Sequence, residues 1–193
     1  MTSESPLALA ERRVRESLAV QEALLEPALL QAVVDAAAAV SAALTRGGTL
    51  LAFGNGGSAA DATHIAAELV GRFLEERRAL AAVSLSDNAS AVTAIANDYG
   101  YEYVFARQIE ALGRAGDVAL GLSTSGRSAN VVAGLEAARA AGLTTIALTG
   151  GDGGPVAACA DLSIVAPSEE TPRIQECHTT IAHVLCELIE QDL

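Results

Sequence analysis

Aromatic side chains are scarce in this sequence: they make up 3% of its 193 residues, and tryptophan is absent. Apolar residues nevertheless reach 51%, much of it alanine, a composition that suits helices packed closely against a sheet. Cations are also scarce, because 12 basic residues stand against 24 acidic ones and give a formal net charge of −12. This charge argues against non-specific binding to nucleic acid or to an anionic membrane surface. An anionic substrate would have to be held by local N–H groups and hydroxyls.

Signals for disulfides, secretion and membrane insertion are missing as well. The three cysteines, Cys159, Cys177 and Cys186, form no C-x-x-C pattern, and their odd number argues against a disulfide framework. Residues Met1–Ala10 lack the basic region and apolar core of a signal peptide. The apolar run Ala36–Leu44 is shorter than the roughly 20 residues that a membrane span requires. We therefore expect a soluble, cytoplasmic protein.

The sequence indicates one domain that begins with a helical segment. It is long enough to bury a full core, and it contains no internal repeat, low-complexity linker or second domain. Apolar residues at helical spacing predict helix from about Pro6 to Arg46, broken near Glu26-Pro27 and stopped by Gly47-Gly48. We predict a single domain over residues 1–193, in which segment 1–46 packs on the core or on a neighbouring subunit.

The remainder alternates short apolar runs with helical patterns. The candidate strands are Thr49–Phe53, Ala79–Leu85, Val118–Leu122, Thr144–Thr149 and Leu162–Val165. The candidate helices are Ser58–Leu74, Ala89–Asn97, Tyr103–Leu112, Ala129–Ala141, Pro155–Ala160 and Pro172–Leu193. Continuous apolar strands separated by helices indicate a parallel sheet covered on both faces. The predicted fold is α/β, a three-layer α/β/α sandwich with a five-stranded parallel sheet and extra N-terminal helices. Ligands in such folds bind beyond the carboxyl ends of the strands.

The segment Gly121–Ser128 (GLSTSGRS) carries four hydroxyls and a turn glycine where a predicted strand passes into a helix. At such a junction, free backbone N–H groups and the positive end of the helix dipole point the same way, which favours an anion such as a phosphate. Arg127 is the one nearby cation in the sequence that could pair with it. The alternative is a Ser/Gly turn with a good N-cap and no ligand.

A second loop of the same kind, Gly54–Asp61 (GNGGSAAD), follows the first predicted strand. Its glycines permit positive φ and close approach of the backbone to a ligand. It does not match G-x-G-x-x-G, and it lacks the lysine of a phosphate-binding P-loop. In the helix after it, His64 and Glu68 stand four residues apart and share one face near the loop. That spacing suits a metal site, an acid/base pair or an ordinary His–Glu surface contact.

The last predicted helix carries RIQECHTTIAH over residues 173–183. His183 shares a helix face with Glu176, seven residues earlier, whereas Gln175 is displaced from that direction by roughly a quarter turn. By spacing alone, Glu176 is the better partner for His183. His178 points elsewhere, and we expect it at the surface or at an interface. Spacing does not distinguish structural from functional histidines.

Taken together, five motifs in this order resemble those of the phosphoheptose isomerases, a family of the sugar-isomerase (SIS) fold superfamily. The motifs are Gly54–Asp61, the pair His64/Glu68, Asn97-Asp98, Ser123–Ser128 and Arg173–His183. Each is weak alone, and Asn97-Asp98 by itself indicates a helix cap and turn, but their joint occurrence is specific and covers almost the whole chain. The resemblance implies the SIS fold and the conversion of sedoheptulose 7-phosphate to D-glycero-D-manno-heptose 7-phosphate, the first step of bacterial ADP/GDP-heptose biosynthesis.

The resemblance also implies a homotetramer with active sites at subunit interfaces and one Zn²⁺ ion per subunit. The zinc ligands carried over are His64, Glu68, Gln175 and His183. The family pattern therefore selects Gln175 against the helical spacing. The substrate contacts carried over are Asn55, Gly56, Gly57, Glu68, Asn97, Asp98, Ser123, Thr124, Ser125, Ser128 and Gln175. One departure is Pro172, which stands where some members carry an acidic residue; Thr171 is a possible polar substitute.

The implied reaction moves a proton between C1 and C2 of the sugar through an enediol, which requires a base and an electrophile. Our hypothesis makes Glu68 and His183 the catalytic acid/base pair. Glu68 would move the carbon-bound proton and His183 the hydroxyl protons, and the sequence leaves the reverse assignment open. Zinc would supply the electrophile. Because glutamine is an unusual zinc ligand, we expect a labile, substrate-dependent site.

Two other functions fit parts of the same pattern. One is that of a binding protein of the same fold: a close relative of these isomerases binds a bacterial replication initiator and acts as a regulator, not as an enzyme. The histidine at position 183, where we associate asparagine with that relative, favours the enzyme. The second alternative is a domain that only senses sugar phosphates; it would share the Ser-rich loop without needing the His64/Glu68 and Gln175/His183 set.

Overall fold

The computed structural model describes residues 4–193. Residues 1–3 lie outside the described residues. Two predictions concern them in part: that no signal peptide is present, and that one domain covers residues 1–193. In chain order the elements are α1 (Pro6–Ala23), α2 (Pro27–Thr45), β1 (Leu50–Gly54), α3 (Gly57–Val70), β2 (Ala82–Ser84), α4 (Ala89–Asp98), a 3₁₀ turn (Tyr101–Tyr103), α5 (Ala106–Leu112), β3 (Val118–Ser123), α6 (Ala129–Ala140), β4 (Thr144–Gly150), α7 (Gly154–Ala158), β5 (Leu162–Ala166) and α8 (Thr171–Asp192).

The break between the first two helices lies at the predicted place. Pro27 occupies the first position of α2, where a missing N–H costs nothing, and the carboxylate of Glu26 accepts a hydrogen bond from the N–H of Leu29 at 2.9 Å. Within residues 4–193, α2 is the one helix long and apolar enough to cross a membrane. Its residues Val33, Val40 and others are buried against the sheet and α8, as in the core helix of a globular domain.

The five strands form one parallel sheet in the order β2-β1-β3-β4-β5. The chain leaves β1 toward one edge to form β2 and then crosses back over β1 to form β3. The connections after β1 and β3 therefore diverge, and a crevice opens between the carboxyl ends of these neighbouring strands. Gly54, which ends β1, is paired with Leu122 near the end of β3. The two glycine- and serine-rich loops thus begin side by side.

Helices cover both faces of the sheet, so the predicted three-layer α/β/α fold is confirmed. On one face α2, α3 and α8 pack on alternate strand residues such as Leu50, Leu120 and Leu148. On the other face α5, α6 and α7 pack on the intervening residues, among them Phe53 and Ala147. Because every central strand is buried on both sides, its sequence is a continuous apolar run without alternation.

Three element ends differ from the sequence prediction by three residues or more. The strand predicted from Ala79 to Leu85 is β2, which begins only at Ala82. The helix predicted to run to Leu74 ends at Val70, and the carboxylate of Glu190 on α8 binds the N–H groups of residues 73–75 that a longer helix would have used. The helix predicted from Tyr103 to Leu112 is a 3₁₀ turn followed by α5, which begins at Ala106.

Candidate active site

The loop between β1 and α3 lies against the amide of Gln175 on α8. A Cβ placed on Gly57 would overlap Nε2 of Gln175 and stand 2.8 Å from its Cδ, closer than real side chains approach. Gly56 has a φ of +58°, a left-handed conformation that glycine adopts without steric cost. Three predicted substrate contacts, Gly56, Gly57 and Gln175, are therefore close together. A larger residue at position 57 would displace the amide of Gln175, although the backbone conformation of Gly57 itself would admit other residues.

The side chain of Asn55 is held by two residues that the sequence reasoning missed. Its Nδ2 donates to Oδ1 of Asn130 at 2.8 Å, and Nδ2 of Asn130 donates back to Oδ1 of Asn55 at 2.9 Å. The hydroxyl of Tyr101 donates to the same Oδ1 at 2.9 Å. One N–H of Asn55 remains free, so the side chain presents a donor to a ligand. The available signal was Asn130 itself, an amide between Ala129 and Val131 at the start of a helix.

The loop between β3 and α6 gathers hydroxyls and N–H groups at the adjacent strand end. The hydroxyls of Ser123 and Ser128 are 3.0 Å apart, and Gly126 turns the chain with a φ of +64°. Ser128 is the N-cap of α6, and its side chain makes no capping hydrogen bond. The first N–H groups of α6 therefore have no side-chain acceptor from the cap and are available to an anion.

A cavity of about 270 Å³ opens beside this loop and is bounded in part by Thr124, Ser125 and Arg127. The guanidinium of Arg127 pairs with the carboxylate of Asp152 at 2.6 Å, and Glu169 also lines the cavity. Two carboxylates thus offset the positive charge of Arg127. The N–H groups and hydroxyls of the loop are better placed to hold a phosphate than this arginine, whose phosphate contact stays a prediction.

Helices α3 and α8 bring His64, Glu68 and His183 together. Nε2 of His64 on α3 faces Nε2 of His183 on α8 at 2.9 Å. Glu68, one turn after His64, places Oε1 3.5 Å from the same Nε2. The side chains of His64 and Glu68 are 43% and 24% exposed, so both are accessible to a ligand. From sequence alone, His64 and Glu68 could form either a functional site or an ordinary surface contact. In the structure they lie opposite His183, the residue predicted on the last helix.

The three side chains do not form a closed metal cage. Across residues 4–193, no group of three His, Cys, Asp or Glu side chains is arranged to enclose an ion. The Nε2 atoms of the two imidazoles nevertheless lie 2.9 Å apart, and Gln175 lies on the same helix as His183. An open, incomplete ligand set is typical of catalytic metal sites, whereas structural sites are closed.

The preference of the helical spacing for Glu176 as the partner of His183 is wrong. The carboxylate of Glu176 accepts a hydrogen bond from Arg173 at 2.5 Å, and His183 pairs with His64. Gln175 is the residue of the two that reaches the β1–α3 loop. Spacing on one helix could not show this, because the partner of His183 comes from α3.

The expectation of a surface or interface position for His178 is also wrong. Its side chain is fully buried, and Nε2 lies 3.0 Å from the carbonyl oxygen of Thr149 at the end of β4. Burial lowers the pKa of this imidazole, which favours the neutral ring. His178 flanks the apolar stripe that contains Ile174 and Ile181, so it packs into the core as a hydrogen-bonded structural residue.

The remaining predicted contacts, Asn97 and Asp98, lie exposed at the end of α4. Nδ2 of Asn97 donates to Oδ1 of Asp98 at 2.7 Å. Within the described part of the chain, the side-chain hydrogen bonds of these two residues reach no other predicted site residue. The 3₁₀ turn that follows them carries Tyr101, which contacts Asn55, so this segment borders the crevice.

A further link between α3 and α8 was not predicted. The hydroxyl of Thr179 donates to Oδ1 of Asp61 at 3.2 Å. Burial raises the pKa of Asp61, and the bond from Thr179 only partly offsets this effect. Asp61 stands three residues before His64 on α3, so a partly buried carboxyl group lies close to the histidine pair.

Comparison with known proteins shows the family to which the chain belongs. Residues 14–150 match the SIS domain family. The phosphoheptose isomerase of Aquifex aeolicus (strain VF5) is 55% identical over 177 residues, which is 92% of each chain. Among solved structures, the phosphoheptose isomerase from Neisseria gonorrhoeae is 43% identical, with a TM-score of 0.92 over 97% of this chain and 100% of that one. The phosphoheptose isomerase from Francisella tularensis is 34% identical, with a TM-score of 0.93 over the same shares. The chain belongs to the phosphoheptose isomerase family of SIS-domain proteins.

Proposed function

We propose that this enzyme converts sedoheptulose 7-phosphate to D-glycero-D-manno-heptose 7-phosphate through an enediol. The observation that carries the proposal is the convergence of His64, Glu68 and His183 between α3 and α8. Helix α8 also carries Gln175, which lies against the β1–α3 loop at the crevice. Two loops rich in N–H groups and hydroxyls border the same crevice. One end of a sugar phosphate can therefore be held while the other reaches ionisable side chains.

Proton transfer is the chemistry that these side chains can perform. The sequence contains no lysine, so no lysine imine can form with the sugar carbonyl. Glu68 would move the proton between C1 and C2, and His183 would transfer protons to and from the hydroxyl and carbonyl oxygens. Their separation on two facing helices supports this division, because the substrate carbons and oxygens can lie between them. The assignment can be reversed without changing the proposed reaction.

Zinc is the metal that we propose for this site, held by His64, Glu68, Gln175 and His183. The donor set fits, since two imidazole nitrogens with oxygen ligands are acceptable zinc chemistry and the two Nε2 atoms already face each other. When bound, zinc would act as a Lewis acid toward the oxygens of the enediolate. Because glutamine is an unusual zinc ligand, the proposed ion would be labile and substrate-dependent.

The phosphate would be bound by the segment Ser123–Ser128 at the start of α6. Local groups must supply this affinity because the net charge of −12 opposes an anion. The hydroxyl pair of Ser123 and Ser128 and the N–H groups of the first turn of α6 provide it. Binding energy at this remote end would position C1 and C2 against Glu68 and His183.

The partner that we propose for the N-terminal helix is another copy of the same chain, in a homotetramer. Within the described residues, α1 has no buried side chain. Leu7, Val14, Leu18 and the following Leu25 are each more than 60% exposed and recur at helical spacing. An unpartnered apolar face of this length suits helix packing between subunits.

We place the enzyme in the cytoplasm, where its three free cysteines stay reduced.

The test is an NMR-followed incubation of zinc-loaded enzyme with sedoheptulose 7-phosphate. Wild type should form aldoheptose 7-phosphate, and His183→Ala should not. Glu187→Gln, an exposed change on the same helix, is the matched control and should turn over normally. Binding of the sugar phosphate without turnover by wild type would refute the proposal and favour a sensor or a regulator that binds the replication initiator.

A further inference from the structure

A buried carboxylate at the far end of α8 is tied to the backbone that follows α3. Glu190 lies two helical turns after His183, and its side chain is 1% exposed. Its oxygens accept hydrogen bonds from three successive N–H groups, those of Phe73, Leu74 and Glu75, at 2.7, 2.8 and 3.0 Å. Three backbone donors on one carboxylate fix the path of the connecting segment 71–81, which joins α3 to β2.

Arg77 completes the arrangement from within the connecting segment. Its side chain is 7% exposed, and Nε stands 3.0 Å from Oε1 of Glu190, without the alignment of a hydrogen bond. Its two terminal nitrogens donate to the carbonyl oxygens of Glu68 and Leu69 at 2.9 Å each. These carbonyls belong to the last turn of α3, where a helix leaves acceptors unsatisfied and a cation is favourable.

The connecting segment also contacts the candidate catalytic residue on the other helix. The ring of Phe73 lies 5.4 Å from the ring of His183, centroid to centroid, with their planes inclined by 33°. Phe73, whose N–H binds Glu190, therefore also supports the imidazole of His183. One carboxylate is linked by short contacts to both sides of the site, to Glu68 through Arg77 and to His183 through Phe73.

We infer that Glu190 is a positioning residue of the isomerase: it sets the separation of Glu68 and His183 through the connecting segment 71–81. The inference rests on the proposed function, because it requires Glu68 and His183 to perform the proton transfers. Helices α3 and α8 carry these two residues, and Glu190 and Arg77 join the helices at one end. The many backbone contacts of this buried ion pair fix the positions of Glu190 and Arg77. The net contribution of such a pair to the free energy of unfolding can nevertheless be small.

The test compares Glu190→Gln with Glu187→Gln. Both remove one negative charge from α8, but Glu187 is exposed and Glu190 is buried. A displacement of a positioned group by about 1 Å can cost 100-fold in rate. We therefore expect kcat per folded subunit of Glu190→Gln to fall by roughly 10- to 100-fold, with KM changed less than about 3-fold. Glu187→Gln should stay within about 2-fold of wild type.

Stability is measured alongside by thermal unfolding, because a purely structural residue would lower the Tm and leave kcat per folded subunit unchanged. An unchanged kcat in folded Glu190→Gln would overturn the inference. Should that variant fail to fold, Glu190→Asp decides, since it keeps the buried charge but is one methylene too short to reach the three N–H groups and Arg77 together. A reduced kcat at normal KM would support the inference, and wild-type kinetics would overturn it.

The same experiment separates this inference from the proposed function. Wild type that does not convert sedoheptulose 7-phosphate refutes the proposed function. Active wild type with Glu68→Gln inactive and Glu190→Gln fully active refutes only the positioning role. All proteins are assayed with saturating zinc, so that a difference in metal content does not mimic a difference in geometry.

Discussion

Replacing Gly57 with alanine should lower activity without lowering stability. Gly57 begins α3 with a negative φ, so alanine is compatible with its backbone and is the better helix former by about 0.5–1 kcal/mol. The added methyl group would instead collide with the amide of Gln175. The colliding atoms are the far end of a flexible side chain, which can move aside at little cost to the fold.

The size of the effect follows from the distance that the amide must move. Ordinary contact with a Cβ begins at 3.4 Å, whereas Cδ of Gln175 would stand at 2.8 Å and Nε2 closer still. The amide must therefore shift by roughly 1 Å, a misplacement that can cost about 100-fold in rate. We expect kcat/KM of Gly57→Ala to fall by roughly 100-fold, which is about 2.7 kcal/mol of transition-state stabilisation.

A double-mutant cycle checks whether the loss passes through Gln175. Wild type, Gly57→Ala, Gln175→Ala and the double variant are compared by kcat/KM for sedoheptulose 7-phosphate and by thermal unfolding. In the Gln175→Ala background the methyl group meets nothing, so Gly57→Ala should cost less than about 3-fold there. The reasoning is refuted if the two losses multiply, or if Gly57→Ala alone is fully active.

The remaining predictions concern the base, the phosphate, the amide pair and pH. Glu68→Gln should lose at least about 100-fold in kcat, the contribution of a general base, and near-normal turnover would exclude it from that role. Ser128→Ala should weaken binding of phosphorylated sugars about 10-fold by calorimetry; an equal loss for unphosphorylated sedoheptulose would contradict a phosphate contact. Asn130→Ala should raise KM roughly 5- to 10-fold, because Asn55 loses its two hydrogen bonds to Asn130. An unchanged KM in steady-state kinetics would show that these hydrogen bonds are not needed for substrate binding. Burial raises the pKa of Glu190, but hydrogen bonds from three N–H groups and the charge of Arg77 outweigh this and lower it from 4.5 to about 2. Because the folded-state pKa is depressed, the stabilisation is present above pH 4.5 and is lost as pH falls toward 2. Urea unfolding curves of wild type and Glu190→Gln should therefore converge over that window, and a constant difference would contradict the assignment.

The sheet could be predicted from the sequence because its central strands, β1, β3 and β4, are buried on both faces and the edge strands are also largely apolar. Such strands are short apolar runs bounded by glycine or polar residues, and each of the five predicted runs overlaps an observed strand. The end of α3 was missed for a reason that local pattern cannot reveal. Residues 71–74 continue a helical pattern, but Glu190, more than a hundred residues later, binds the N–H groups that a helix would have used.

The candidate site divides in the same way between local and long-range information. His64 and Glu68 were recognisable because both lie on one helix, and the Ser-rich loop because its hydroxyls are contiguous in sequence. The partner of His183 was misjudged because helical spacing compares residues on α8 only, whereas the imidazole faces α3. His178 was misjudged because a histidine can be buried when a carbonyl oxygen accepts its N–H, and that carbonyl belongs to β4.

Residues that act on backbone atoms are the hardest to find from sequence, and Glu190 shows why. If Glu190 bound only Arg77, the two opposite charges would give a sequence signal. Three of the partners of Glu190 are instead backbone N–H groups, which every residue except proline possesses. No side chain at positions 73–75 is required for those bonds, so substitution there need not disturb them. Substitution of Glu190 removes all of them at once. Such contacts form only when α3 and α8 have packed against each other. The inferred role of Glu190, which is to position Glu68 relative to His183, therefore depends on the tertiary fold and leaves no local sequence signal.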